Sequence, residues 1–142
     1  MTSFDEIEDL ALTTINDYRL EKLYNQSEED FASYLDGFLK RAIPYFPECK
    51  QSLEYDSETR EFVSDLTLLE KSILADLLVI QHYSRDNDTY ALYRQHLQAA
   101  SSFKNHSESQ NLKEHSAYID KLREELDRNK VAYQLETFFV DN

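Results

Sequence analysis

The sequence predicts an all-α protein, a small helical bundle with a long C-terminal helix. Three observations carry this. The 142 residues include one Gly and two Pro, too few for a fold built on hairpins and tight turns. Helix start signals recur, each a Ser or Thr with a carboxylate three positions on. Residues 66–80 are apolar around most of a helical wheel, so that segment needs cover from several sides. A chain of this length can bury one core. One helical domain over residues 1–136 is therefore expected, followed by a tail at 137–142.

Ser3 caps a first helix, with Glu6 completing a capping box, and Ile7, Leu10, Ala11 and Ile15 line one face. The pattern weakens at Asn16-Asp17. Leu20, Leu23 and Tyr24 continue that helix or form a short second piece. Ser27-Glu28-Glu29-Asp30 is a cap followed by acids at the positive helix end. Phe31, Tyr34, Leu35, Phe38, Leu39, Ala42 and Ile43 follow at helical spacing, until Pro44 and Pro47 stop it. Gly37 inside this helix points to a close helix–helix approach. Residues 48–65 lack helical periodicity. A surface loop is expected there, with a short hairpin of 53–55 against 61–63 as the alternative.

Thr67 and Glu70 form a third capping box. Leu66, Leu69, Ile73, Leu77 and Ile80 make a broad stripe, flanked by Leu74 and Leu78 on one side and by Leu68 and Val79 on the other. This is either the central helix of a bundle or a helix shared between subunits. Glu70, Lys71 and Asp76 interrupt it and it is too short to span a membrane. Residues 84–88 read as a polar break, followed by a helix through Tyr90 to Ala100. After a second break at 101–107, a final helix runs from about Ser107 to about Leu135. One narrow stripe of Leu112, His115, Ile119, Leu122, Leu126 and Tyr133 faces inward. Phe138-Phe139-Val140 gives the tail an apolar patch, unusual for a loose terminus.

The net charge is −13. Residues 1–66 hold 16 Asp and Glu against 6 Lys and Arg, and residues 67–142 hold 12 against 9. Gripping nucleic acid through phosphates needs clustered cations, so that class is excluded. Standing beside DNA without sticking to it is not. The single Cys49 rules out an internal disulfide framework and fits a reducing compartment. Asp5, Glu6, Glu8 and Asp9 break any apolar signal segment, so a cytoplasmic protein is expected.

Sites of chemistry are sparse. Asp86-Asn87-Asp88 starts like a calcium loop, but Ala91 and Leu97 stand where Gly and Glu are required. The four His lack zinc-ligand spacing, Gly37 alone makes no phosphate loop, and no nucleophile elbow is present. Cys49 reads as a small buried side chain. No catalytic, cofactor-binding or metal-binding residue is assigned, and the chain is not expected to be an enzyme. Asp76 falls on the apolar stripe between Leu69, Ile80 and Tyr83. A carboxylate there must be paired or become protonated, which suggests a polar contact inside the bundle or across subunits.

Three segments resemble small proteins of the head–tail connection in tailed phages of Gram-positive bacteria. Residues 66–80, LTLLEKSILADLLVI, are similar to their "LTxxExxILAxLMV" segment. Residues 102–114, SFKNHSESQNLKE, resemble "DFKxYSQANHLKE", and Ala42-Ile43-Pro44-Tyr45-Phe46 resembles "AIPxF". Order and rough spacing agree from residue 42 to about 114. A Trp that follows the central segment in the family is absent, with Tyr83 near its place. The resemblance implies a connector, or adaptor: a helical homo-oligomer, usually a twelve-fold ring, beneath the portal protein of the DNA-filled head. It implies assembly in the host bacterial cytoplasm, a place in the virion, a channel that DNA traverses without specific binding, and a next neck or tail-completion protein on the far side. Asp76, Tyr83, Phe138, Phe139 and Val140 become candidate residues for contacts with other subunits or the portal, with the apolar tail as anchor. The competing readings are an acidic helical module that mimics DNA and, more remotely, a small enzyme using Asp76.

Overall fold

The computed structural model describes the backbone of residues 1–15, 17–97 and 102–141, and the side chains within them except those of residues 18, 86–97, 102–112, 115 and 137–141. The protein is mostly helical. Five helices run in order: α1 (Phe4–Leu12), α2 (Tyr18–Gln26), α3 (Glu28–Ala42), α4 (Leu68–Leu97) and α5 (Ser102–Asp141). A 3₁₀ turn at Ile43–Tyr45 follows α3.

The capping boxes set the starts. At α1 the Glu6 amide donates to Ser3 Oγ (3.4 Å) and the Ser3 amide donates to Glu6 Oε2 (3.1 Å). At α4 the Glu70 amide donates to Thr67 Oγ1 (3.2 Å) and the Thr67 amide to Glu70 Oε1 (2.8 Å). Ser27 caps α3 through the Asp30 amide at 3.1 Å. Asp17 caps α2 through the Arg19 amide at 2.9 Å, so residues 18–26 are a separate helix. Each cap satisfies amides that the first helical turn leaves without a partner.

The stretch 48–65 is mostly irregular, as expected of a loop, but it contains the alternative short hairpin, with its first strand at 55–56 instead of 53–55. Strands β2 (Tyr55–Asp56) and β3 (Glu61–Phe62) pair with Tyr55 opposite Phe62, and β1 (Thr2–Ser3) adds to the far edge of β3. Asp56 Oδ1 accepts from the amides of Glu58 (2.8 Å) and Thr59 (3.4 Å), an Asx-type turn. Arg60 sits at φ 57°, a conformation Gly would adopt more cheaply. Its guanidinium is held by Asp36 at 2.7 Å and its carbonyl accepts from the Phe4 amide at 2.8 Å. Those tertiary contacts over-determine the strained residue. They also explain why composition failed here: a two-residue strand needs little β propensity when its neighbours fix it.

α4 is the central helix, packed by α1, α3 and α5. Ile73, Leu74, Leu77, Leu78, Val79 and Ile80 are buried together with Phe4, Ile7, Leu35, Phe38, Leu39, Phe46 and Phe62. Leu68, expected on an apolar flank, is instead 72% exposed, on the side of the first turn away from Glu70, which reaches Tyr133 of α5. The break expected at 84–88 does not interrupt α4. Polar composition stops a helix only when nothing else favours helical backbone. The final helix likewise begins at Ser102 instead of Ser107, and it continues helical through Asp141, taking in most of the expected tail. On α5, Ile119, Leu126 and Tyr133 are buried at seven-residue intervals with Leu122 half-buried, a narrow coiled-coil-like seam. Leu112 and His115 of the expected stripe lie outside the described side chains.

Gly37 marks no close approach. A Cβ built there meets nothing within 4 Å, and the residue opens onto a shallow cleft with Tyr34, Arg41 and Arg85.

Candidate functional site

Of the residues singled out from sequence, Asp76 and Tyr83 both face α5. Asp76 hydrogen-bonds Asn129 and lies near the Glu125 carboxylate; burial raises its pKa, and Glu125 adds to the rise. Asn129 is an exposed residue beside the α5 seam, between the buried Leu126 and Tyr133. The Asp76–Asn129 contact thus links α4 to α5 at the solvent edge of their seam. The Tyr83 ring meets Tyr118 of α5 edge-on at 5.4 Å and His82 at 5.2 Å. Asp76 thus has a polar neighbour within its own chain. Phe138, Phe139 and Val140 have helical backbone at the end of α5, but their side chains lie outside those described. The described residues leading to them, Val131 and Leu135, are 54% and 53% exposed.

The segment after α3 clamps the same part of α5. Phe46, 1% exposed, packs edge-on against Tyr133 at 5.4 Å. Lys130 Nζ donates to the Tyr45 carbonyl and pairs with Glu48 at 3.4 Å. The Lys50 amide donates to Tyr133 Oη at 2.9 Å, and that hydroxyl donates to Glu70 Oε2 at 2.7 Å. Glu70, 2% exposed, also accepts from Gln51 Nε2 at 2.6 Å. Burial opposes its charge, but the Thr67, Tyr133 and Gln51 hydrogen bonds outweigh it and lower its pKa. Cys49 Sγ lies 3.5 Å from Glu70 Oε2. Burial pushes the thiol pKa up to about 11, so at neutral pH it is a protonated thiol and a poor nucleophile.

Two further buried polar clusters escaped the sequence reading. His82, 1% exposed, has Nε2 3.2 Å from Asp17 Oδ2 and Nδ1 3.2 Å from Tyr34 Oη. The chain ties the cap of α2 to α3 and α4. Its acid–imidazole–phenol order resembles a proton relay, but the ring is enclosed by Phe38 and Tyr83. The second cluster joins Glu8, Asp36 and Arg60. Arg60 grips Asp36 with two hydrogen bonds (2.7 and 2.8 Å) and reaches Glu8 at 3.4 Å and Asp5 at 2.9 Å. Burial and the adjacent Asp36 carboxylate raise the pKa of Glu8 to about 9. Burial works against the Asp36 charge, but the hydrogen bonds from Arg60 and Glu8 keep its pKa below the usual range. The pair therefore retains one proton into the neutral range. The only sequence signals for these clusters were single polar residues on apolar faces, Glu8 beside Ile7 and Ala11 and His82 after Ile80.

Among the described residues, no group of three or more His, Cys, Asp or Glu is arranged to hold a metal ion. None of the described helices is long and apolar enough to cross a membrane. The geometry centres on the clamp and seam that present the C-terminal half of α5. No family model, curated protein or solved structure matches the chain.

Proposed function

We propose that the protein is a structural component of a phage head–tail connector, a ring under the portal that joins the DNA-filled head to the tail. The observation that carries this reading is the state of α5. Its described part is held to the body by the seam with α4 and the clamp after α3, and its exposed Val131 and Leu135 lead toward Phe138, Phe139 and Val140. An apolar edge continuing to a helix end is the form of a helix-in-groove anchor. The portal protein is the partner for that anchor, and a next neck or tail-completion protein takes the opposite side. Copies of this chain form the ring, and DNA slides through a channel whose acidic wall repels phosphate.

The likeness of residues 42–46 and 66–80 to connector segments gains a physical reason. The first supplies Phe46 and Tyr45 of the clamp, and the second is the buried half of α4. Both serve to hold α5 in place. No catalytic role belongs to this reading.

The test is deletion of residues 137–142 in a phage that carries the gene. Full-length protein is expected in purified virions, at the neck by immunogold labelling. The truncated form should give filled heads without joined tails. Normal yields of tailed particles from the truncated gene overturn the anchor, and absence of the full-length protein from virions overturns the connector.

A further inference from the structure

The junction of α1 and α2 contains a cleft of about 560 Å³, within the size range of ligand-binding clefts. Its floor is apolar, made by Leu12, Ile15, Leu20 and Phe31, with Tyr24 standing edge-on to Phe31 at 5.3 Å. Tyr24 is 48% exposed although it belongs to this apolar surface. The rim is acidic, formed by Asp9, Asp17 and Glu21. Asp17 is engaged by Arg19 and His82. Among the described residues, Asp9 and Glu21 are exposed carboxylates with no ion-pair partner. The surrounding segment is strongly charged, since residues 1–30 hold nine Asp and Glu against two Lys and Arg.

We propose that this cleft docks a basic peptide segment of a partner protein, one that presents an aromatic or aliphatic side chain between Lys or Arg residues. The apolar side chain enters between Tyr24 and Leu12 and removes their surface from water. The flanking cations meet Asp9 and Glu21. Charge selects this occupant. A nucleic acid or an anionic membrane is repelled by the rim, and a second copy of a chain with net charge −13 brings like charge to it. Docking here does not require the connector assignment, and its failure would leave that assignment standing.

The absence of Trp from the chain gives a clean probe. The peptide acetyl-Lys-Lys-Trp-Leu-Lys-Lys-amide is titrated with full-length protein while its own emission is followed. Saturable binding with a blue shift is expected. Asp9→Lys with Glu21→Lys should weaken binding about tenfold or more, because two attractions become repulsions. Glu54→Lys with Glu58→Lys, an equal charge change on the exposed hairpin, should weaken it several-fold less. Tyr24→Ala should reduce both affinity and blue shift, which keeps the test open if the first pair disturbs α1 or α2.

The proposal fails if the two charge-reversed pairs weaken binding equally, because the peptide is then held by overall charge. It also fails if no blue shift occurs, or if a peptide with Ser in place of Trp and Leu displaces the Trp peptide at equal concentration. A fourth contrary result is a stable dimer in sedimentation that excludes the peptide.

Discussion

Tyr133 on α5 donates its hydroxyl proton to Glu70 on α4 across 2.7 Å, joining residues 63 positions apart at a site closed to water. The same oxygen accepts from the Lys50 amide. One phenol thus serves a charged acceptor and a backbone donor at once. Tyr133→Phe should cost about 1–3 kcal/mol, since a hydrogen bond to a buried carboxylate is lost. Urea unfolding followed by circular dichroism measures it. A loss under half the lower figure would show that water replaces the hydroxyl.

Gly37→Ala should stabilise the protein. The glycine lies inside α3 with open space beyond its α-carbon and an ordinary helical backbone. Helix propensity then favours Ala by about 0.5–1 kcal/mol. The thermal midpoint should rise by about 2–5 °C.

Stability should fall as pH rises from about 4.5 toward 9. Glu8 titrates near 4.5 when unfolded and near 9 when folded. Between those values the folded state holds a proton that the unfolded chain has released, so alkali favours unfolding. Glu70, Asp17 and Asp36 act with the opposite sign. Their folded pKa values are lowered, so their contribution is complete above the ordinary carboxylate range and lost as pH falls through it. Unfolding midpoints across pH 3–9 should therefore peak on the acid side of neutrality. Glu8→Gln should flatten the alkaline limb and leave the acid limb in place.

Asp76→Asn should leave the isolated chain unchanged in stability at neutral pH, or raise it by up to about 1 kcal/mol. The amide can still bond Asn129, while the half-buried charge near Glu125 is gone. A drop of about 2 kcal/mol or more in urea unfolding would show that the carboxylate has a stronger favourable partner than these contacts provide.

Much of the architecture was legible in residues. All three capping boxes or caps at Ser3, Ser27 and Thr67 start helices where the side chains dictate. The all-round apolar wheel of 66–80 is the central helix, because only burial on several sides satisfies it. The hairpin was harder to see. Its two-residue strands carry no periodicity, and Arg60 adopts its left-handed backbone where a Gly would have signalled the turn. Residues 84–88 misled in the other direction, since Ser, Asp and Asn mark breaks by competing locally for backbone hydrogen bonds, and α4 runs through them.

Of the candidate residues, the sequence could show that Asp76 needed a partner, but not that Asn129 was the one. The pairing depends on how α5 lies against α4, which no local pattern encodes. The His82–Asp17–Tyr34 chain and the Glu8–Asp36–Arg60 cluster join residues dozens of positions apart. Their members look like isolated polar residues until packing brings them within hydrogen-bond reach.

By itself, then, the sequence determined where α1, α3 and α4 begin, which helix lies at the centre, and the acidic balance of charge. These follow from local hydrogen bonding, side-chain periodicity and charge count. Tertiary structure alone decided the partners of the buried polar groups, the three-stranded edge at the N-terminus and the cleft between α1 and α2. Each is made by segments that meet only after the core has collapsed, when burial makes an unpaired donor or charge too costly to leave.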